Sequence, residues 1–394
     1  MSSEPPGGTN PFEGWPMFGD LARWFGGQGP VNWDVARQTA QWIATDGTSE
    51  PNVEPLERLR MEELLRAADL HVGEATGLST SVAGGMLSVL PVTRADWALH
   101  SMEAYRPFLE HLAAALAQAG EPGVAPDPAT ALLGDLGKIL VPVLLGVQSG
   151  YMVGHLARRS MGQYDLPLPR TPADQLLVVP ANLDAFATEW SLPAADLRMW
   201  VCIREVTTHA VLGRPHVRAR LHGLVDEYVS RFEVDPDAVE HSFGDLDPTD
   251  PQALQSVLGN PETLLGAVQT DAQREVLARI ALLTMAITGY VDHVMDVVGQ
   301  GLVGAYGMVT EAMRRRRVEP SEGDRFAGRL MGLGLERADY ERGAAFAEGV
   351  VDRAGEEGLR RLWHSEKELP TPPELDAPGL WLARIDLPDE DSAG

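Results

Sequence analysis

The chain's residue pattern predicts a mainly α fold with a few short strands. Three observations carry that expectation. Apolar residues recur at helical spacing along most of the length, cap and stop residues sit at the ends of those runs, and strand-like segments are few. The first run, Trp33 to Ala44, follows Asn32, a good N-cap, and places Val35, Ala36, Trp42 and Ile43 on one stripe with Thr39. Leu56 to Leu70, Trp97 to Ala119 and Ala131 to Arg159 follow, the last expected to break or bend at Pro142. Ser191 and Pro193 then read as the cap and first turn of a helix from Leu197 to Leu212, stopped by Gly213 and Pro215. Further helices are expected at His216 to Phe232, Pro251 to Leu258, Pro261 to Gln269, Ala272 to Arg315, Arg325 to Leu333 and Arg337 to Ala354. Gln175 to Pro180 is the best strand signal and Leu380 to Ile385 a weaker one.

No repeat and no long low-complexity linker divides the 394 residues. The expected organisation is a disordered segment over 1–12, a single mostly helical domain over 13–387 with room for two lobes, and an acidic disordered tail over 388–394. A net charge of −25 and a pI near 4.7 argue against nucleic acid or an anionic membrane as partner. The expected partner is a peptide, a protein or a small molecule. Arg314 to Arg317 is a local basic run, read as decorating the C-terminal end of a helix. Cys202 is the single cysteine, which rules out an intrachain disulfide and reads as a buried, inert thiol. Met1 to Pro11 has neither the basic nor the apolar part of a signal peptide. The apolar stretch Ile139 to Gly154 is shorter than the ~20 residues a membrane span needs. These features together predict a soluble, cytoplasmic protein.

One helical run carries most of the chemical information. Arg204-Glu205-Val206-Thr207-Thr208-His209-Ala210 has the layout of a zinc-metallopeptidase helix with altered ligands. That chemistry needs two histidines one helical turn apart on the same ion, with a glutamate beside the first as general base on the metal-bound water. Glu205 stands at the base position. Arg204 and Thr208 stand where the two histidines belong, and His209 is one residue further along, roughly 100° around the helix.

A second run, Ala281 to Val309, is almost devoid of charge apart from Asp292, His293 and Asp296. Charged groups on a buried helix need partners, and the helix bearing Arg204, Glu205 and His209 is the obvious source. Two arrangements remain open. Arg204 could form a structural ion pair with Asp292 or Asp296, or Glu205, His209, His293 and Asp296 could converge on a metal. Other matches carry little weight. His216 lies at the wrong spacing for an extended zinc motif, and Gly299 to Gly304 follows a helix rather than the strand a dinucleotide fingerprint needs. In Gly146 to Gly150 the serine is one place too late for a nucleophile elbow. No cofactor-binding motif remains.

Several segments taken in order resemble the actinobacterial family of zincin-like metallopeptidases, type 2, whose members often carry a hydrolase label. They are Gln148 to Leu156, Gly162 to Asp165, Val178 to Asn182, Trp200 to Ala210, Gly289 to Asp296, Tyr340 to Gly343, Leu369 to Thr371 and Pro378 to Arg384. Asn10 to Phe12 and Gly29 to Trp33 add to the likeness. The resemblance implies a zincin-like helical fold, a histidine pair with a glutamate base, zinc as cofactor, and a third ligand from a later helix. That ligand is often a glutamate directly before a glycine. Only the base carries over, as the candidate catalytic residue Glu205. Arg204, Thr208 and Thr288 occupy the three ligand positions. The expectation is therefore a peptidase-type hydrolase scaffold whose site is degenerate or rebuilt around His209, His293 and Asp296. The alternative is a non-catalytic protein that binds a partner or ligand on the same fold, with Arg204 and Asp292 as a structural ion pair.

Overall fold

The structure, a computed structural model, describes residues 29–119, 128–168, 170–231, 270–320, 322–331 and 333–387. Helices dominate it, and the two described strands form one small parallel sheet. Helix α1 (Trp33–Thr45) begins at Asn32, whose side chain accepts from the Val35 amide. It lies against α3 (Arg94–Ala119) and α4 (Pro128–Ala157). Helix α4 runs through Pro142 without a break, and the Pro142 carbonyl accepts from the Asn32 amide (2.8 Å). Gly146 and Gly150 are not part of a nucleophile elbow. They let α1's backbone come close, where a Cβ on either would meet a carbonyl oxygen at 2.5 Å.

Helix α2 (Pro55–Thr76) packs on strand β1 (Ser88–Pro91) and on α6 (Ala194–Leu212). Strand β2 (Gln175–Val178) pairs with β1 in parallel, Ser88 opposite Gln175 and Pro91 opposite Val178. The sequence pattern marks β2 but not β1, whose four residues are too few for an alternation and whose partner lies far along the chain. Helix α5 (Pro180–Glu189) follows directly, with Pro180 in its first turn. Helix α7 (Pro215–Ser230) packs on α3 and on α8 (Asp271–Leu302).

The single helix expected from Ala272 to Arg315 is two, α8 and α9 (Tyr306–Val318). Val303 takes extended angles, and the Asp196 carboxylate of α6 accepts from the Ala305 amide (2.7 Å), so a tertiary contact holds the break. Helix α10 (Glu322–Met331) lies on α4, and α11 (Arg337–Arg360) crosses α8. At that crossing a Cβ on Gly289 would stand 2.0 Å from the Gly343 carbonyl oxygen, so only glycines permit the approach. The expected end of α11 at Ala354 marks a kink instead, at Gly355 with φ 66°. After α12 (Pro372–Asp376), Leu380 to Ile385 is not a strand but part of α13 (Pro378–Ile385). Pro378 sets its first turn, Trp381 packs edge-on to Phe346 of α11, and Arg384 one turn later binds Glu374 (2.5 Å).

Helix α8 is long and apolar enough to cross a membrane, but most of its apolar window is buried in the protein against α6, α7 and α11. The terminal segments 1–12 and 388–394 and the helices expected within 251–269 lie outside the described residues.

Candidate functional site

Helix α6 occupies the centre of the molecule, enclosed by α2, α5, α8 and α9. It is buried almost all round from Trp200 to Leu212, with Arg204 the half-buried exception. Cys202 is fully buried and its thiol is pushed up to about 12 by burial, which leaves it inert. Residues four apart share a helix face, so Arg204 and Thr208 form one face and Glu205 and His209 the next.

The Glu205–His209 face meets the loop that follows α4. Glu205 has no exposed surface, and its Oε2 accepts from the amides of Gln163 and Tyr164, both at 2.8 Å. Gly162 lies flat on the same carboxyl group, where a Cβ would come within 2.4 Å of Glu205 Cδ. The Tyr164 hydroxyl is hydrogen-bonded to His209 Nδ1 (2.9 Å), and its carbonyl accepts from Arg204 Nη2 (3.2 Å). Tyr164 therefore ties all three side chains to one loop. His209 Nε2 is buried with no partner among the described residues. Burial pushes Glu205 up to about 7, reinforced by the Asp165 charge and opposed by Arg204 and the two loop amides. Burial also drives His209 down to about 4, so its ring is neutral at ordinary pH.

The adjacent Arg204–Thr208 face looks into a cavity of about 740 Å³ bounded by α6, α8, α9 and the loop after α4 and closed in part by α10 and α11. Thr288 lines the same cavity from α8. The three positions at which the family pattern expects zinc ligands thus line one cavity. Arg204 is 19% exposed there and reaches Asp165 Oδ1 (3.4 Å) and Glu205 Oε1 (3.2 Å). Asp165 also meets Arg316 of α9 (3.5 Å) and accepts from the Met161 amide (2.6 Å). Burial works to raise the Asp165 carboxyl, but Arg316 and Arg204 outweigh it and hold it below the usual range. Arg317 grips Asp292 through two bonds of 2.8 and 2.9 Å and stacks on the Tyr340 ring.

The other expected site residues are spread apart. His293 meets Glu356 of α11 (3.0 Å), on the side of α8 away from the cavity lining. Asp296 accepts from the Tyr306 hydroxyl (2.5 Å). Among the described residues His209, His293 and Asp296 do not converge, and no group of three or more His, Cys, Asp or Glu side chains could hold a metal. Arg204 and Asp292 line one cavity but do not pair. The loop after α4 offers Arg204 nearer acceptors, and Arg317 takes Asp292. Arg316 and Arg317 are not surface decoration either, since both turn inward and are less than a fifth exposed. The sequence carries no sign of a site role for Tyr164 and Asp165, and it marks Arg316 and Arg317 only as part of a basic run at a helix end. The run Gly162-Gln163-Tyr164-Asp165 was visible, but nothing in it signals that two of its amides face a glutamate.

Zinc, the metal such a fold implies, does not fit the donors present at these positions. Thr208 and Thr288 turn their hydroxyls back onto the Arg204 and Thr284 carbonyls (2.9 and 2.8 Å), and the third position presents a guanidinium cation. The glutamate that would serve as base is engaged by loop amides on the neighbouring face.

Comparison with known proteins agrees with this architecture. A crystal structure from Chloroflexus aurantiacus, described as a "putative hydrolase with a novel fold", superposes with a TM-score of 0.63. It is 22% identical and covers 91% of this chain and 99% of its own, a likeness in fold. No curated protein matches. The profile of the zincin-like metallopeptidases matches residues 31–382. A helical zincin-like fold, the central helix with Glu205 and a match over most of the length make this chain a member of the zincin-like metallopeptidase family.

Proposed function

We infer that this chain uses the hydrolase-type scaffold of its family as a ligand-binding protein, with the zinc-dependent chemistry lost. The observation that carries the reading is the chemistry at three positions. Arg204, Thr208 and Thr288 line one cavity and offer a cation and two neutral hydroxyls where zinc needs imidazole, thiolate or carboxylate. Glu205 supports it from the other side. A general base must reach the proton it removes, whereas this carboxyl group is fully buried and bonded to the loop. The cavity remains, of a size that suits a small organic molecule. The acidic surface disfavours nucleic acid and anionic membranes as the occupant's source.

The test is metal content of the purified, untagged protein by elemental mass spectrometry, before and after incubation with zinc. The expected result is far less than one metal per chain in both samples. Stoichiometric zinc that is lost in His209→Ala would sink the reading and restore a rebuilt hydrolase site.

A further inference from the structure

The cavity has a charge pattern that names the class of its occupant, provided it is a binding site as inferred above. Five arginines line it, Arg159, Arg204, Arg316, Arg317 and Arg325, in a chain whose net charge is −25. Two of them are matched by their own carboxylates, Arg317 by Asp292 and Arg159 by Asp324 (2.7 Å). Arg325 is exposed and donates to the Pro320 carbonyl (2.9 Å). Arg204 and Arg316 are different. Both lean on one carboxylate, Asp165, at 3.4 and 3.5 Å, well beyond the usual length of a charge-assisted bond. Glu205 also touches Arg204, but its other oxygen is committed to two loop amides. A guanidinium carries five N–H donors, and neither Nε–H of this pair is bonded among the described residues. The pair's remaining bonds go to the Tyr164 and Arg159 carbonyls, and the cavity lining carries five guanidinium groups against four carboxylates, Asp165, Asp292, Asp324 and Glu336.

The wall that α8 contributes is largely apolar, interrupted by Thr284, Thr288 and the paired Asp292. Leu277, Ala281, Ile287 and Val291 present one side of α8, with Met313 and Leu335 beside them. An apolar wall against a paired-guanidinium wall suits a molecule with a hydrocarbon body and an oxyanion head. The planar fork of an arginine matches such a head, and the apolar body gains by leaving water. The cationic charge stands where the fold would otherwise place a metal, so the cavity retains a positive centre without one.

We propose that the cavity binds a small amphiphile through its oxyanion head, a carboxylate or a phosphate, held by Arg204 and Arg316 while its apolar body lies along α8.

The experiment is calorimetric titration of the full chain with octanoate, octyl phosphate and octanol, which share a body and differ in the head. At least one of the two anions should bind about tenfold or more tightly than octanol, the size expected for one charge-assisted bond. The better of the two identifies the head. Arg204→Gln and Arg316→Gln should each reduce anion binding toward the octanol level while octanol binding persists, which shows that the cavity still exists. Arg315→Gln, exposed on the same helix and bonded to Glu311, should bind as the parent does. Equal binding of anion and alcohol, undiminished anion binding in Arg204→Gln and Arg316→Gln, or no binding of either anion would overturn the proposal. These outcomes differ from the zinc result that would sink the binding-protein reading itself.

Discussion

The two adjacent faces of α6 have opposite characters. Arg204 and Thr208 look into an open cavity, whereas Glu205 and His209 are pressed against a loop and shut away from solvent. A working zinc peptidase needs the two faces to cooperate, because the base beside the first histidine must act on water held by the ligands. Here they are separated by what each is bonded to. The Glu205 carboxyl group has become part of the fold, closing the loop through the Gln163 and Tyr164 amides. On the reading proposed above, a residue kept from a catalytic motif serves the fold even where the neighbouring positions carry no histidine.

If that contrast is right, the faces should respond unequally to substitution. The largest effect is expected at Glu205→Ala, which leaves two buried amides without their acceptor and takes one of three acceptors from the Arg204 guanidinium. A loss of about 4 kcal/mol is expected, measured by urea unfolding. A loss under about 1 kcal/mol would return Glu205 to a role in chemistry alone. Gly162→Ala comes next, because its Cβ would overlap the Glu205 carboxyl carbon, which cannot retreat without giving up its amide bonds. About 2 to 3 kcal/mol is expected from such overpacking, and an unchanged melting temperature would mean that the loop does not hold the glutamate.

How much of this was legible in the sequence follows from the range of each interaction. Helices such as Trp33–Thr45 and Ala194–Leu212 were readable because caps and apolar spacing are local. The break between α8 and α9 was not, since the group that holds it, Asp196, is far back in the chain. The same distinction runs through the site. The departure at Arg204 and Thr208 is visible in seven residues, and Thr288 before Gly289 could be added through the family resemblance. The partners of those side chains could not. Asp165 and Arg316 are 151 positions apart, and their pairing depends on packing that no spacing rule encodes. The expected convergence of His293 and Asp296 with His209 assumed that i,i+3 and i,i+4 neighbours on α8 face α6. Of Asp292, His293 and Asp296 only Asp292 lines the cavity, and it is held by α9 instead.

The pH response separates the members of the closed face. Glu205 sits at about 7 in the fold against an ordinary 4.5, so the folded state holds the extra proton and stability falls as pH rises between those values. His209 sits at about 4 against 6.5, so the unfolded state holds the extra proton and stability rises with pH across that window. Between pH 4.5 and 6.5 the two contributions oppose, and the pair should leave a nearly flat profile. Glu205→Gln should expose the rising limb, and His209→Gln the falling one. Each limb should have a slope of up to about 1.4 kcal/mol per pH unit. Unfolding free energies measured from pH 4 to 7.5 would check this, and identical profiles for both variants would deny the two shifts.

The smallest effect is expected on the open face. Removing the charge in Arg204→Gln leaves Asp165 with Arg316 and the Met161 amide and Glu205 with its two loop amides, and the lost contacts are 3.2 to 3.4 Å long. A change of about 1 kcal/mol is expected at neutral pH. A second, directional consequence makes the variant informative even so. Arg204 is the charge that holds Glu205 down against its burial, so without it Glu205 should titrate above about 7. The limb on which stability falls with pH should then extend upward. A loss comparable to that of Glu205→Ala would mean that the guanidinium is as structural as the glutamate, and the division between the two faces would fail. A small loss with the limb moved to higher pH would place Arg204 as a cavity group whose charge is available to something other than the fold.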